Sequence, residues 1–90
     1  MAVVRFLPRA EKDLLELPEH LQDEILEKAD LLKEFPEMGP VMEQAYSGYR
    51  FLLADRNHYR IIYKVVSAAL VEVRYIRHCR RQSGLRIVKI

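Results

Sequence analysis

The stretch His58-Tyr59-Arg60-Ile61-Ile62-Tyr63-Lys64-Val65-Val66-Ser67-Ala68-Ala69-Leu70-Val71-Glu72-Val73-Arg74-Tyr75-Ile76-Arg77-His78 reads as two strands and a turn. β-branched and aromatic residues fill 58–66 and 70–78, and small residues separate them. A connection at Ser67-Ala68-Ala69 fixes every cross-strand pair, because side chains alternate between the faces of a strand. One face then carries Val65 opposite Val71, Tyr63 opposite Val73, Ile61 opposite Tyr75 and Tyr59 opposite Arg77. The other pairs Lys64 with Glu72, Ile62 with Arg74, Arg60 with Ile76 and His58 with His78. The first face is dry and needs a cover; the second is open and cationic.

Upstream, residues 49–54 form another strand, preceded by a loop that Pro36, Gly39, Pro40 and Gly48 punctuate. If Phe51 and Leu53 point inward, Arg50 joins Arg60 and Arg74 on the open face. Pro8 suits the first turn of a helix whose buried side is Ala10, Leu14 and Leu17, and Pro18 ends it. A second helix follows, with Leu21, Ile25, Ala29, Leu32 and Phe35 on one stripe, and stops before Pro36. Residues 2–7 are β-branched and aromatic enough for an opening strand. The expected fold is α+β, in the order β-α-α-β-β-β: a curved antiparallel sheet packed against an N-terminal helical hairpin. Residues 1–90 form one domain, in which 83–90 are an edge strand or a mobile tail.

Half of the residues are hydrophobic and 31% are charged, which suits a packed domain and argues against disorder. The longest apolar runs fall far short of the roughly 20 residues that span a bilayer. The start, Met1-Ala2-Val3-Val4-Arg5, lacks the order of a signal peptide. With the single cysteine, Cys79, these features suit a cytoplasmic protein with no internal disulfide. No His, Cys, Asp and Glu spacing suggests a metal site, and there is no glycine-rich phosphate loop; no cofactor is expected.

The net charge of +2 conceals two opposed halves. Residues 11–43 hold eleven acidic side chains against Lys12, Lys28 and Lys33, a net of −8. Residues 44–90 hold ten basic side chains against Asp55 and Glu72, a net of +8. Such asymmetry points to a polyanionic partner for the basic half, or else to helices and strands that neutralise one another. The open face gathers Arg50, Arg60, Arg74, His58 and His78, with Arg80 and Arg81 beyond the strand end; Arg56, Lys64 and Arg77 add further charge. Guanidinium groups offer forked donors to phosphate, and an imidazole exchanges a proton near neutral pH. RNA cleavage needs that combination: a base for the 2′-hydroxyl, cations for the charged phosphorane and an acid for the leaving oxygen.

The runs Tyr59-Arg60-Ile61-Ile62-Tyr63-Lys64-Val65 and Val73-Arg74-Tyr75-Ile76-Arg77-His78-Cys79-Arg80-Arg81 resemble the ending of RelE/ParE toxins of bacterial type II toxin-antitoxin systems. Phe6-Leu7-Pro8-Arg9-Ala10-Glu11-Lys12-Asp13-Leu14, the Phe35–Gly39 turn and Gly48-Tyr49-Arg50 are similar to the family's earlier segments. The resemblance implies the same β-α-α-β-β-β fold and a cognate antitoxin as partner. It also implies one of two activities. RelE-like members cleave mRNA on the ribosome without a metal; ParE-like members inhibit DNA gyrase and are not enzymes. Ribosome-dependent cleavage is the leading expectation, with Arg60, His78, Arg80 and Arg81 as catalytic candidates. Arg50, Arg56, His58, Lys64, Arg74 and Arg77 are the candidates for binding RNA or another target. The alternatives are gyrase inhibition and an inactive homologue that binds a partner. The lysines that RelE carries before the turn are replaced here by Phe51 and Leu53, or by Arg50, and no tyrosine follows Tyr75.

Overall fold

The computed structural model describes residues 1–79 of the chain. In chain order these form β1 (Val3–Phe6), α1 (Pro8–Leu15), α2 (Glu19–Leu31), a 3-10 turn at Gln44–Tyr46, β2 (Arg50–Ala54), β3 (Tyr59–Ser67) and β4 (Leu70–His78). The element order and the α+β layering are those the sequence implies. The strands lie in the order β1-β4-β3-β2, with β2, β3 and β4 antiparallel. β1 differs in direction: it runs parallel to β4, so the sheet is mixed. The helical connection between β1 and β2 returns the chain to the far edge, and that leaves β1 beside β4. The proposed edge strand or tail at 83–90 lies outside the described residues.

The helices form where the apolar spacing requires them. Ala10 and Leu14 in α1, and Leu21, Ile25 and Ala29 in α2, recur at four-residue spacing and are buried. Pro8 stands in the first turn of α1, where its missing N–H costs nothing. α2 ends at Leu31 and not beside Pro36. Glu34 N–H donates to Leu31 O and Phe35 N–H to the same carbonyl, so the chain turns out of the helix. Phe35 consequently leaves the apolar stripe and is exposed; the residue before a proline avoids helical backbone.

The core lies between the helices and one sheet face. Ile61, Tyr63, Val71 and Val73 are fully buried there with Ile25 and Leu32, and Val65 packs against them. Two carboxylates fasten the layers by capping backbone donors. Ile76 N–H donates to Asp13 Oδ2 at 3.1 Å, beyond the point where β1 stops pairing with β4. Asp55 N–H donates to Glu24 Oε2 at 3.0 Å, at the turn between β2 and β3.

The loop after α2 is anchored from inside the core. Tyr63 is the buried anchor: its hydroxyl accepts from Gly39 N–H at 3.0 Å. A Cβ at Gly39 would run into the Phe51 carbonyl and the Tyr63 hydroxyl, so glycine is required by space. Burial pushes the Tyr63 phenol above its ordinary 10.0, against the smaller lowering effects of the Gly39 N–H and Arg50. Tyr63→Phe, which strands the Gly39 N–H, should cost about 1–3 kcal/mol in urea unfolding. Gly39→Ala should cost a similar roughly 1–3 kcal/mol through overpacking. The stabilising effect of the neutral phenol is complete below pH about 10 and is lost as pH climbs through the raised value. The advantage of the native chain over Tyr63→Phe should therefore shrink in alkaline solution.

Candidate functional site

Val71, Val73 and Ile76 of β4 are all buried, a spacing that a regular strand cannot deliver to one face. β4 meets it with an extra residue. Tyr63 pairs with Val73 but Ile62 pairs with Tyr75, so Arg74 is bulged out of the ladder. Val66 is a second irregularity, near the turn, where Ser67 pairs with Leu70. The pairs Val65–Val71, Lys64–Glu72 and Tyr63–Val73 match the register read from the sequence. Beyond the bulge every pair slips by one: Ile61–Ile76, Arg60–Arg77 and Tyr59–His78.

This slip changes the composition of both faces. Arg77 leaves the helix side and comes to lie directly across from Arg60. His78 makes the opposite move. It pairs with Tyr59, which packs against the core, and its ring meets the Tyr59 ring edge-on at 4.8 Å. With Arg9 and Asp13 of α1, Glu16 and Leu17 just after it, and Tyr59, Ile76 and Arg77 of the strands, it lines a cleft of about 260 Å³ at this end of the sheet. The expectation that His78 closes the edge of the Arg60 face is therefore corrected. His58 is exposed in the turn beside Arg56; it stacks with His78 at 6.1 Å and lies 3.6 Å from the Asp55 carboxylate.

β2 also sits in the opposite phase from that expected. Leu52 and Ala54 pair with Ile61 and Tyr59 and face the core, whereas Phe51 and Leu53 pair with Ile62 and Arg60 on the outer face. Arg50 pairs with Tyr63 on the helix side, which corrects its assignment to the cationic face. Its guanidinium donates to the carbonyls of Gly39 at 2.7 Å and Glu37 at 3.2 Å, holding the loop.

The outer face is built in rows across the strands. Leu53, Arg60 and Arg77 form one; Phe51, Ile62 and Tyr75 form the next; Lys64 and Glu72 begin a third, with Arg5 beyond them. Ile62 is 0% exposed although no helix among the described residues packs on this face. Cations stand on the aromatic rings. Arg60 lies over Phe51 at 5.0 Å, Arg77 over Tyr75 at 4.7 Å, and Arg74 and Lys64 over Tyr49 at 5.5 and 5.9 Å. Arg74 is neutralised in place: it donates to Glu72 at 2.7 Å and to the Tyr49 hydroxyl at 3.0 Å, and the Glu72 bond holds it more firmly protonated. Arg77 makes no ion pair among the described residues. The supporting rings of Phe51, Tyr75 and Tyr49 were not legible as site residues; the 71, 73, 76 apolar spacing was the available signal. Arg80 and Arg81 lie outside the described residues. Among the described residues no group of three or more His, Cys, Asp and Glu side chains could hold a metal, and no helix is long and apolar enough to cross a membrane.

The family profile for ParE toxins of type II toxin-antitoxin systems, parDE, matches residues 4–83. The chain belongs to this family. Solved structures share the fold. The RelBE2 toxin-antitoxin complex of Mycobacterium tuberculosis contains a chain 28% identical at TM-score 0.71, over 86% of this toxin and 96% of that chain. The intact RelBE complex of E. coli gives 18% identity and TM-score 0.73, with 87% and 96% coverage. The chromosomal ParDE system of P. aeruginosa gives 17% and 0.70, again with 87% and 96% coverage. No curated protein matches the sequence.

Arg50 in this toxin is a loop anchor. Arg50→Ala should lower unfolding free energy by about 1–2 kcal/mol, for the loss of charged hydrogen bonds at a partly solvated site. Its effect on target inhibition, measured at a temperature where the variant is folded, should be less than about threefold.

Proposed function

We propose that the toxin arrests translation by cleaving ribosome-bound mRNA, with Arg60 and Arg77 gripping the scissile phosphate. The observation that supports this reading is their register: two guanidinium groups directly opposite on neighbouring strands, each seated on an aromatic ring. Two guanidinium groups so placed present forked donors to a single anion. Attack by the ribose 2′-oxygen, which gives up its proton, forms a bond to phosphorus and adds negative charge to the phosphorane oxygens; the P–O5′ bond then breaks, leaving a 2′,3′-cyclic phosphate and a 5′-oxygen that takes up a proton. Two cations already in position stabilise the phosphorane charge without having to reorganise. Proton transfer falls to water or ribosomal groups, since Arg74 already engages Glu72 and the Tyr49 hydroxyl. This division of labour gives a physical reason for dependence on the ribosome. Lys64 is assigned to a neighbouring phosphate and Arg80 or Arg81 to additional charge; His78 and His58 are assigned to the sheet end. A cognate antitoxin is the proposed partner, in keeping with the toxin-antitoxin complexes among the structural neighbours.

Gyrase inhibition is the second reading. It is favoured by the separation of His78 from Arg60, because binding alone needs no proton carrier, and by the match to the ParE profile. Purified toxin added to translating ribosomes, and separately to a gyrase supercoiling reaction, discriminates the two. The expected result is cut message, with Arg60→Ala and Arg77→Ala each slowing cleavage by about a hundredfold or more. His78→Gln should change the rate by less than about threefold. Blocked supercoiling with intact message would transfer the function to gyrase.

A further inference from the structure

We propose that the turn end of the sheet is a self-association surface, on which a second copy of this chain docks about a two-fold axis. It lies at the opposite end of β3 and β4 from the Arg60–Arg77 row and does not depend on the function proposed above. Phe35 and Met38, 57% and 47% exposed, line a shallow hollow of about 420 Å³ with Pro36 and Glu37. Pro36 also lines a second hollow, of about 360 Å³, together with Ala2, Ala68, Lys33 and Glu34. Backbone bonds tie these segments into one surface: Ala2 N–H donates to Lys33 O and Val3 N–H to Ala69 O, each at 2.8 Å. Val3 and Val66, both exposed, extend it around the β3–β4 turn. A continuous apolar area of this kind marks an interaction site, and a flexible methionine adapts to whatever lands on it.

Two features make the occupant a copy of the same chain. The surface holds both an exposed ring, Phe35, and hollows to receive one, and a two-fold axis exchanges such elements between identical surfaces. It also carries both signs of charge, where a surface of one sign would repel itself. Lys33 and Glu34 border the same hollow, so the rotation brings each toward its opposite on the other copy. Lys33 is held by Asp30 at 2.7 Å in an exposed pair; such a pair contributes little, so the lysine can turn to Glu34 of the second copy. The free edge of β1 is a poorer place for a copy to dock. Val3 and Leu7 N–H point to β4, which leaves Val4 and Phe6 to face outward. A two-fold pairing of Val4 with Phe6 sets Arg5 directly against Arg5 of the other copy, and like charges so placed are destabilising. Few residues take part where a standard interface uses roughly 20–30 on each side, so the dimer should be weak, with a Kd of about 10–100 µM.

The test follows the complete toxin, purified away from any antitoxin, by sedimentation velocity between about 1 and 300 µM, a range that brackets this affinity. The expected result is conversion from one chain to two as concentration rises. Phe35→Glu and, separately, Met38→Glu should each weaken association about tenfold or more, while the exposed positions leave folding nearly unchanged. Charge pairing has its own readout. Lys33→Glu and Glu34→Lys should each weaken the dimer, whereas an equal mixture of the two should associate more tightly than either alone, because both cross-contacts are then opposite in sign. All four variants should retain target inhibition within about twofold, since none touches the Arg60–Arg77 row. Sedimentation as a single chain throughout the range overturns the proposal, and so does association that Phe35→Glu and Met38→Glu leave unchanged. A mixture no tighter than its components overturns the two-fold arrangement. A toxin that stays monomeric while Phe35→Glu weakens antitoxin binding also overturns it and assigns the surface to the antitoxin.

Discussion

β4 has to turn Val71, Val73 and Ile76 toward the helices, and strict alternation cannot do so. The bulge at Arg74 resolves the conflict, and most of the molecule's functional geometry follows from it. Ahead of it, β4 pairs with β1 on one side and continues the register of the turn on the other. Past it, β1 has ended and Asp13 takes over the backbone donor of Ile76. The same insertion sends Tyr75 and Arg77 outward and His78 inward. A core requirement thus selects which charged groups share a face.

The outer face acquires a small apolar layer of its own. Ile62 is as inaccessible as any core residue, between Phe51 and Tyr75 in one row across three strands. Arginine suits this environment better than lysine would, because its guanidinium is weakly hydrated and stacks on rings. Each such contact is worth roughly 0.5–1 kcal/mol where it is exposed. The larger consequence is orientation: the heads are held above rings that the sheet itself fixes, so less freedom is lost when an anion arrives. The bulged Arg74 is set apart from Arg77 by its bonds to Glu72 and Tyr49, which remove its charge from the available set.

What could be read from the sequence divides along physical lines. Proline positions and four-residue apolar spacing located both helices, and the turn-proximal pairs from Val65–Val71 to Tyr63–Val73 followed from alternation alone. The direction of β1 was not legible, since a short apolar strand carries no mark of which edge it joins. The phase of β2 was ambiguous because Phe51, Leu52 and Leu53 are apolar on both sides. Contacts distant in sequence settle it: Arg50 reaching Gly39, and Tyr63 holding the same glycine from the next strand. For the site, Arg60 was legible because a strand-interior arginine on the outer face demands a partner. Its pairing with Arg77 was not, because the slip at Arg74 is decided by packing against helices that sequence alternation does not contain.

The opposed charges of the two halves bear on the alternative that helices and strands neutralise each other. The ion pairs among the described residues are local: Arg9–Asp13, Lys28–Glu24, Lys33–Asp30, His58–Asp55 and Arg74–Glu72. None joins a helix carboxylate to a strand arginine. Where Asp13 and Glu24 do reach the sheet, they accept from backbone N–H groups. The sheet separates the acidic helices from the cationic outer face, and at physiological ionic strength charges more than about 8 Å apart through solvent are largely screened. An approaching polyanion is therefore governed chiefly by the near face. The acidic helices offset the basic half in the molecule's small net charge, while the cations of the outer face set the local field on which the proposed recognition depends.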